Sequence, residues 1–201
     1  MELKFIVETS ARHIHLTQES FDYLMGTEGG QLEVRAPLSQ PGQYVSTTRL
    51  DIVGPVNPKT GKERIIKNVS ILGPFRKADQ IEVSLTDSRT LGVKAPIRES
   101  GDTVGSAPIA VVNPLNGKRL DLKEGLIVAK RHIHMTPKDA EAFGVKNGDI
   151  VKVKIEGTGR ETIFGDTVIR VSEKYALAMH IDTDESNAAN AGGTVYGTIV
   201  K

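Results

Sequence analysis

Phe5-Ile6-Val7-Glu8-Thr9-Ser10-Ala11-Arg12-His13-Ile14-His15-Leu16-Thr17 and Leu126-Ile127-Val128-Ala129-Lys130-Arg131-His132-Ile133-His134-Met135-Thr136 are two versions of one phrase. Each is a short apolar run of β type, then Arg-His-Ile-His, an apolar residue and a threonine. The likeness continues downstream. Thr17 and Thr136 read as helix N-caps, because a threonine hydroxyl accepts from an unpaired N–H of the first turn, and Pro137 suits the first helical position. The helices so predicted, 18–25 and 137–143, stop at Gly26 and Gly144, where a left-handed residue closes the last turn. Strands follow in both copies, at 31–35 and 150–155, the latter alternating with period two after Asn147-Gly148-Asp149. The chain is an internal duplication.

Outward from the repeat, most of the sequence is β by pattern. Residues 39–42 (Ser-Gln-Pro-Gly) form a turn-rich loop, and 56–64 and 113–118 carry the Asn, Pro and Gly of hairpin loops. Residues 81–85 and 167–171 read as further strands. Many short strands with turn signals predict an all-β protein with short helices, built as two related β-barrel domains, each with one short helix.

Composition narrows the chemistry. Of 201 residues 38% are hydrophobic, enough to build a core, so disorder is excluded. Lys plus Arg number 26 against 25 Asp plus Glu, so no global charge draws the chain to nucleic acid or an anionic membrane. With zero cysteines there is no disulfide, no thiolate nucleophile and no Cys-ligated zinc or iron–sulfur cluster. Any metal must rest on His, Asp or Glu. The amino-terminal stretch is too short and charged for a signal peptide, and no apolar run approaches the roughly 20 residues that span a bilayer. A soluble, cytoplasmic protein is expected.

Four of the five histidines lie in the two His-x-His pairs, and the fifth is His180. On a strand, residues i and i+2 share a face, so both imidazoles of a pair can grip one ion. One such pair has an ordinary structural reading; two in equivalent positions of a repeat point to metal. Aligning Glu82-Val83-Ser84-Leu85-Thr86-Asp87 with His180-Ile181-Asp182-Thr183-Asp184-Glu185 sets Glu82 opposite His180. The ligand sets are then His13, His15 and Glu82, and His132, His134 and His180. Three protein ligands leave a position for water or substrate, the pattern of catalytic zinc. His and Glu ligands also accept cobalt, manganese or iron. Arg76 is six residues before Glu82, and on spacing alone is either a surface arginine or a bidentate grip on a substrate phosphate. Arg12 and Arg131 share a strand face with Ile14 and Ile133, away from the imidazoles, which favours a structural role.

The sequence resembles the phosphate acyltransferases of the PduL type, also called phosphate propanoyltransferases. The matching stretches are Ser10–Leu16, Leu38–Tyr44, Leu72–Arg76, Thr86–Gly92, Arg98–Asp102, Arg131–Met135 and His180–Ala188, in order along nearly the whole chain. The resemblance implies reversible transfer of an acyl group between coenzyme A and phosphate: acyl-CoA plus phosphate gives acyl phosphate plus CoA, with propanoyl or acetyl as the acyl group. It implies two β-barrels with a two-metal site between them, usually zinc, and a homodimer. One metal would take the first His-x-His, Glu82 and the CoA sulfur; the other would take the second His-x-His and His180. Arg76 falls on the family's active-site arginine, and Ser10 and Asn187 on positions that approach CoA. The domains implied are 1–11 with 130–201, and 12–129. Some members carry an amino-terminal extension that directs them to a bacterial microcompartment; here strand-like sequence begins by Leu3, so a freely cytoplasmic enzyme is expected.

Three other readings compete. A cupin-like single-metal enzyme would use Glu19 with His13 and His15, but needs Glu19 on a strand and leaves His132 and His134 unused. A non-catalytic zinc-binding module predicts closed sites and unfolding on chelation. A metal-dependent hydrolase of the His-x-His barrel kind needs about 250 residues.

Overall fold

The computed structural model describes residues 3–200 and divides into two compact units. One combines Met1–Ala11, Ser39–Pro41 and Lys130–Lys201; the other combines Arg12–Leu38 and Gly42–Ala129. Met1, Glu2 and Lys201, at the ends of the expected 1–11 and 130–201 segments, lie outside the described residues. In chain order the elements begin β1 (Phe5–Thr9), β2 (His13–His15), α1 (Gln18–Met25), β3 (Val34–Pro37), β4 (Tyr44–Val56) and β5 (Glu63–Gly73). They continue with β6 (Gln80–Glu82), α2 (Leu85–Leu91), β7 (Ile97–Arg98), β8 (Ala107–Val112) and β9 (Arg119–Ala129). The last are β10 (His132–Met135), α3 (Pro137–Phe143), β11 (Ile150–Ile155), β12 (Thr162–Val171), β13 (Ala178–Ile181), α4 (Thr183–Ala189) and β14 (Val195–Val200).

The fold is mostly β, with short helices. In one unit the strands close as β1-β13-β10-β12-β11-β14, with β14 returning antiparallel to β1. We call this the His132 barrel. In the other, the His13 barrel, pairing runs β4-β5-β2-β6-β9-β8 and returns from β8 to β4, with β3 added beside β4 and β7 beside β9. The two rings agree strand for strand. Each His-x-His strand lies parallel to one neighbour (β5 or β12) and antiparallel to the other (β6 or β13). The next strand, β9 or β1, is parallel again. A parallel neighbour cannot arrive through a tight hairpin, so it comes from a distant part of the chain. Thus β1 leads into β2 yet closes the His132 barrel, and β9 leads into β10 yet closes the His13 barrel.

Each barrel is filled from its inward positions. Ile14, Leu16, Leu50, Ile52, Ile71, Ile81 and Leu126 pack inside the His13 barrel, and Ile133, Met135, Phe5, Val153, Ile169 and Met179 inside the other. The central isoleucine of each His-x-His is fully buried. It anchors the strand while its neighbours leave on the opposite face.

Four expectations need correction. Residues 81–85 are not one strand: β6 ends at Glu82 and Leu85 opens α2. The cause is Ser84, whose hydroxyl accepts from Asp87 N while the Asp87 carboxylate accepts from Ser84 N, a capping box. Asp182 and Glu185 do the same for α4, so each unit has two short helices rather than one. The strand expected at 31–35 sits at Val34–Pro37, after a glycine loop stitched by Asp22, whose side chain accepts from Gly29 N and Gly30 N. Residues 39–41, expected with 12–129, group with the other unit. Gln40 Nε2 donates to Ala176 O at 3.0 Å, and Ala176 N donates back to Gln40 Oε1 at 3.2 Å.

Gly54 is where β4 passes the end of α2, and a Cβ there would overlap the Leu91 carbonyl oxygen. Backbone cannot swing aside as a side chain can. Gly54→Ala is therefore expected to destabilise the protein by about 1–3 kcal/mol, read as a lower midpoint in thermal unfolding.

Candidate metal centres

In the His13 barrel, β2 presents His13 and His15 while Ile14 enters the core. His13 pairs in register with Glu82 across β2 and β6. His13 Nε2 and His15 Nε2 are 3.1 Å apart, and Glu82 places Oε2 at 3.5 Å from the first and Oε1 at 3.9 Å from the second. His15 Nδ1 donates to Leu72 O at 3.2 Å, which leaves its lone pair on Nε2, toward Glu82. Burial, with His13 and Arg76 nearby, holds the His15 pKa well below the ordinary histidine value, so the ring is neutral. Burial alone would raise the Glu82 pKa, but His13, His15 and Ser100 hold it well below the usual carboxylate range. A neutral His15 imidazole, the His13 ring beside it and an ionised carboxylate, with ligand atoms within 4.8 Å of one another, are a donor set that fits a divalent cation.

Glu82 is itself held. Its Oε1 accepts from Gln80 Nε2 at 2.6 Å and from Ser100 Oγ at 2.7 Å. Ser100 Oγ in turn accepts from Arg76 Nη1 at 3.1 Å, and Gln80 Oε1 accepts from Gly101 N at 2.7 Å. One serine hydroxyl therefore links the arginine to the carboxylate. The Arg76 backbone is pinned separately, its N–H donating to Leu16 O at 2.8 Å.

In the His132 barrel the geometry repeats. His132 pairs in register with His180 across β10 and β13, the position that Glu82 holds opposite His13. Ring centroids are 4.6 Å apart for His132 and His134, 5.1 Å for His132 and His180, and 4.9 Å for His134 and His180. His132 Nδ1 donates to Lys130 O at 2.9 Å. His134 stacks on Tyr175 at 4.0 Å, and its Nδ1 is buried without a hydrogen-bond partner. Burial, with His132, His180 and Arg170 nearby, lowers the His134 pKa to about 2. A buried ring nitrogen with no hydrogen-bond partner is costly in a finished site and suits a ligand to a cation. The three ligand atoms again lie within 4.8 Å.

The other sequence candidates fall as follows. Arg12 makes a two-pronged ion pair with Asp87 at 2.8 Å, and Arg131 pairs with Glu185 at 2.7 Å. Asp87 and Glu185 are the third residues of α2 and α4, so each arginine ties its His-x-His segment to the helix that follows the third ligand. Ser10 N donates to Ile181 O at 2.8 Å, beside the start of α4. Asn187 is exposed on α4. Ser10 and Asn187 each adjoin in sequence a lining residue, Thr9 and Ser186, of a groove of about 400 Å³ that Gly192 and Gly193 also line. Glu19 lies on α1, not on a strand, which removes the cupin arrangement. Gln80 and Ser100 were missed by sequence reasoning. Gln80 was detectable in principle, since it is two residues before Glu82 on one strand and shares its face; Ser100 comes from a distant loop.

The family model for phosphate propanoyltransferase matches residues 6–192 of the chain. The phosphate propanoyltransferase of Listeria monocytogenes is 50% identical over 195 residues, covering 97% of this chain and 86% of its own length. That of Thermotoga maritima is 49% identical, covering 95% and 87%. That of Lachnoclostridium phytofermentans is 54% identical over 183 residues, covering 91% and 81%.

Proposed function

The chain belongs to the phosphate propanoyltransferase family and is an acyltransferase that exchanges acyl-CoA and phosphate; we propose that propanoyl-CoA or acetyl-CoA is its substrate. We propose further that the reaction uses two divalent ions, zinc by preference, held by His13, His15 and Glu82 and by His132, His134 and His180. The observation that carries this reading is the repeated register: each His-x-His faces its third ligand directly across an antiparallel strand pair.

In the forward direction a phosphate oxygen attacks the thioester carbonyl, the carbon–sulfur bond breaks, and CoA leaves as a thiolate. An ion bound at these ligands supplies Lewis-acid charge and stabilises the deprotonated sulfur. The remaining work falls to side chains. Arg76 binds the phosphate through its guanidinium and offsets the charge that develops during attack. Ser100 sets the angle of that guanidinium while fixing Glu82. Ser10 and Asn187 approach CoA, a role supported by the groove that their neighbours line. No acyl-enzyme is required, which suits a chain with no cysteine. The same reading includes a cytoplasmic setting and, from the family resemblance alone, a homodimer. Among the described residues no helix is long and apolar enough to cross a membrane.

Release of free thiol from propanoyl-CoA and acetyl-CoA is expected to depend on phosphate, to stop with chelator and to return with zinc. Thiol release that ignores phosphate would mean hydrolysis and would remove the transferase reading. Arg76→Ala is expected to lower turnover by about tenfold to a hundredfold, the loss of one charge-assisted contact, with metal content unchanged. Full turnover in that variant would take Arg76 out of the mechanism.

A further inference from the structure

The two ligand sets differ in one respect: one contains a carboxylate and the other contains none. Across the His132 barrel a single row of paired residues runs Glu8, His180, His132 on β1, β13 and β10. The corresponding row of the His13 barrel runs Ile127, Glu82, His13 on β9, β6 and β2. Relative to the histidine pair, the carboxylate has moved outward by one strand. Where one row has a glutamate ligand backed by isoleucine, the other has a histidine ligand backed by a glutamate.

We infer that Glu8 is the positioning carboxylate of the three-histidine site, orienting His180 and supplying the negative charge that Glu82 supplies to the other set. This rests on the two-ion reading above. Glu8 Oε2 lies 3.6 Å from His180 Nδ1. Ser39 Oγ donates to that same oxygen at 2.6 Å, and Ser39 belongs to the short segment that groups with this unit. A carboxylate facing Nδ1 selects the tautomer with the proton on Nδ1 and the lone pair on Nε2, and raises the basicity of the ring as a ligand. His15 and His132 have their Nδ1 protons on the backbone carbonyls of Leu72 and Lys130. His180 has a carboxylate facing its Nδ1 instead, at 3.6 Å. With three neutral imidazoles a divalent ion keeps its full +2 charge; Glu8 reduces this to the +1 that the Glu82 set reaches through its own ligand.

The test uses the full chain and zinc. Wild type is expected to bind two ions. Glu8→Leu is expected to weaken one of them by about 10- to 100-fold in chelator competition and to leave the other unchanged. Glu8→Gln, which keeps an acceptor of the same shape without the charge, is expected to fall between. Nitrogen-15 NMR of the metal-free protein adds a readout that a merely structural residue would not move. His180 is expected as the Nδ1–H tautomer in wild type, with Nε2–H gaining population in Glu8→Leu. Two unchanged affinities and an unchanged His180 tautomer in Glu8→Leu overturn the inference. Wild type binding fewer than two ions overturns the two-ion reading instead, a failure the tautomer measurement separates from that of the Glu8–His180 contact.

Discussion

Glu82→Gln is expected to strip one ion from the enzyme and to lower thiol release from acyl-CoA by about 10²–10³-fold, the several kcal/mol that a Lewis acid contributes. The substitution is nearly isosteric, so it isolates charge from shape. Gln80 Nε2 and Ser100 Oγ both donate to Glu82 Oε1, and an amide oxygen can take over that double acceptance. The other carboxylate oxygen faces His13 Nε2 at 3.5 Å, and there the variant would present an amide N–H to the position that requires a lone pair. Metal analysis after dialysis should give one ion per chain against two in wild type, with the melting temperature little changed. Two retained ions together with full turnover would exclude Glu82 as a ligand.

The largest effect on folding is expected at the residue between the first two histidines. Ile14→Ala should cost about 2–5 kcal/mol in a denaturant titration, the range for deleting a fully buried aliphatic side chain and leaving a cavity. Ile14 has no exposed surface and packs in the core of the His13 barrel, where β2 is only three residues long. So short a strand has few other contacts to hold its register, and the same truncation should loosen the His13 ligand set before the His132 set. A cost under about 1 kcal/mol would mean that this position collapses without a cavity. Ile133→Ala is the matching variant in the other barrel, and comparison of the two reports whether the duplicated strands carry equal loads.

How far the site could be read in advance depended on range. His13 and His15, or His132 and His134, share a face because of the period of a strand, a property of three consecutive residues. The third members of the two clusters were reachable because the repeat set Glu82 against His180, and the structure brings each into register with the first histidine of its pair. The capping boxes at Ser84 and Asp182 were equally local, yet 81–85 reads as strand because Ile81, Val83 and Leu85 alternate; the hydrogen bond from Asp87 N to Ser84 Oγ decides for helix. Ser100 and Glu8 had no such signal. Neither has a local pattern that names its partner, and each reaches the site through a contact 18 or more residues away along the chain.

The amino-acid sequence by itself determined the duplication, the β character and the identity of the side chains that gather in the two candidate metal centres, because periodicity, capping and residue chemistry act over a few neighbouring positions. Only the tertiary structure decided which strand closes which barrel, how Arg76 is tied to Glu82 through Ser100, and which carboxylate stands behind His180. These are pairings between distant segments, selected by the burial of opposite apolar faces and the satisfaction of buried polar groups. Such terms take a value only when the whole barrel has closed.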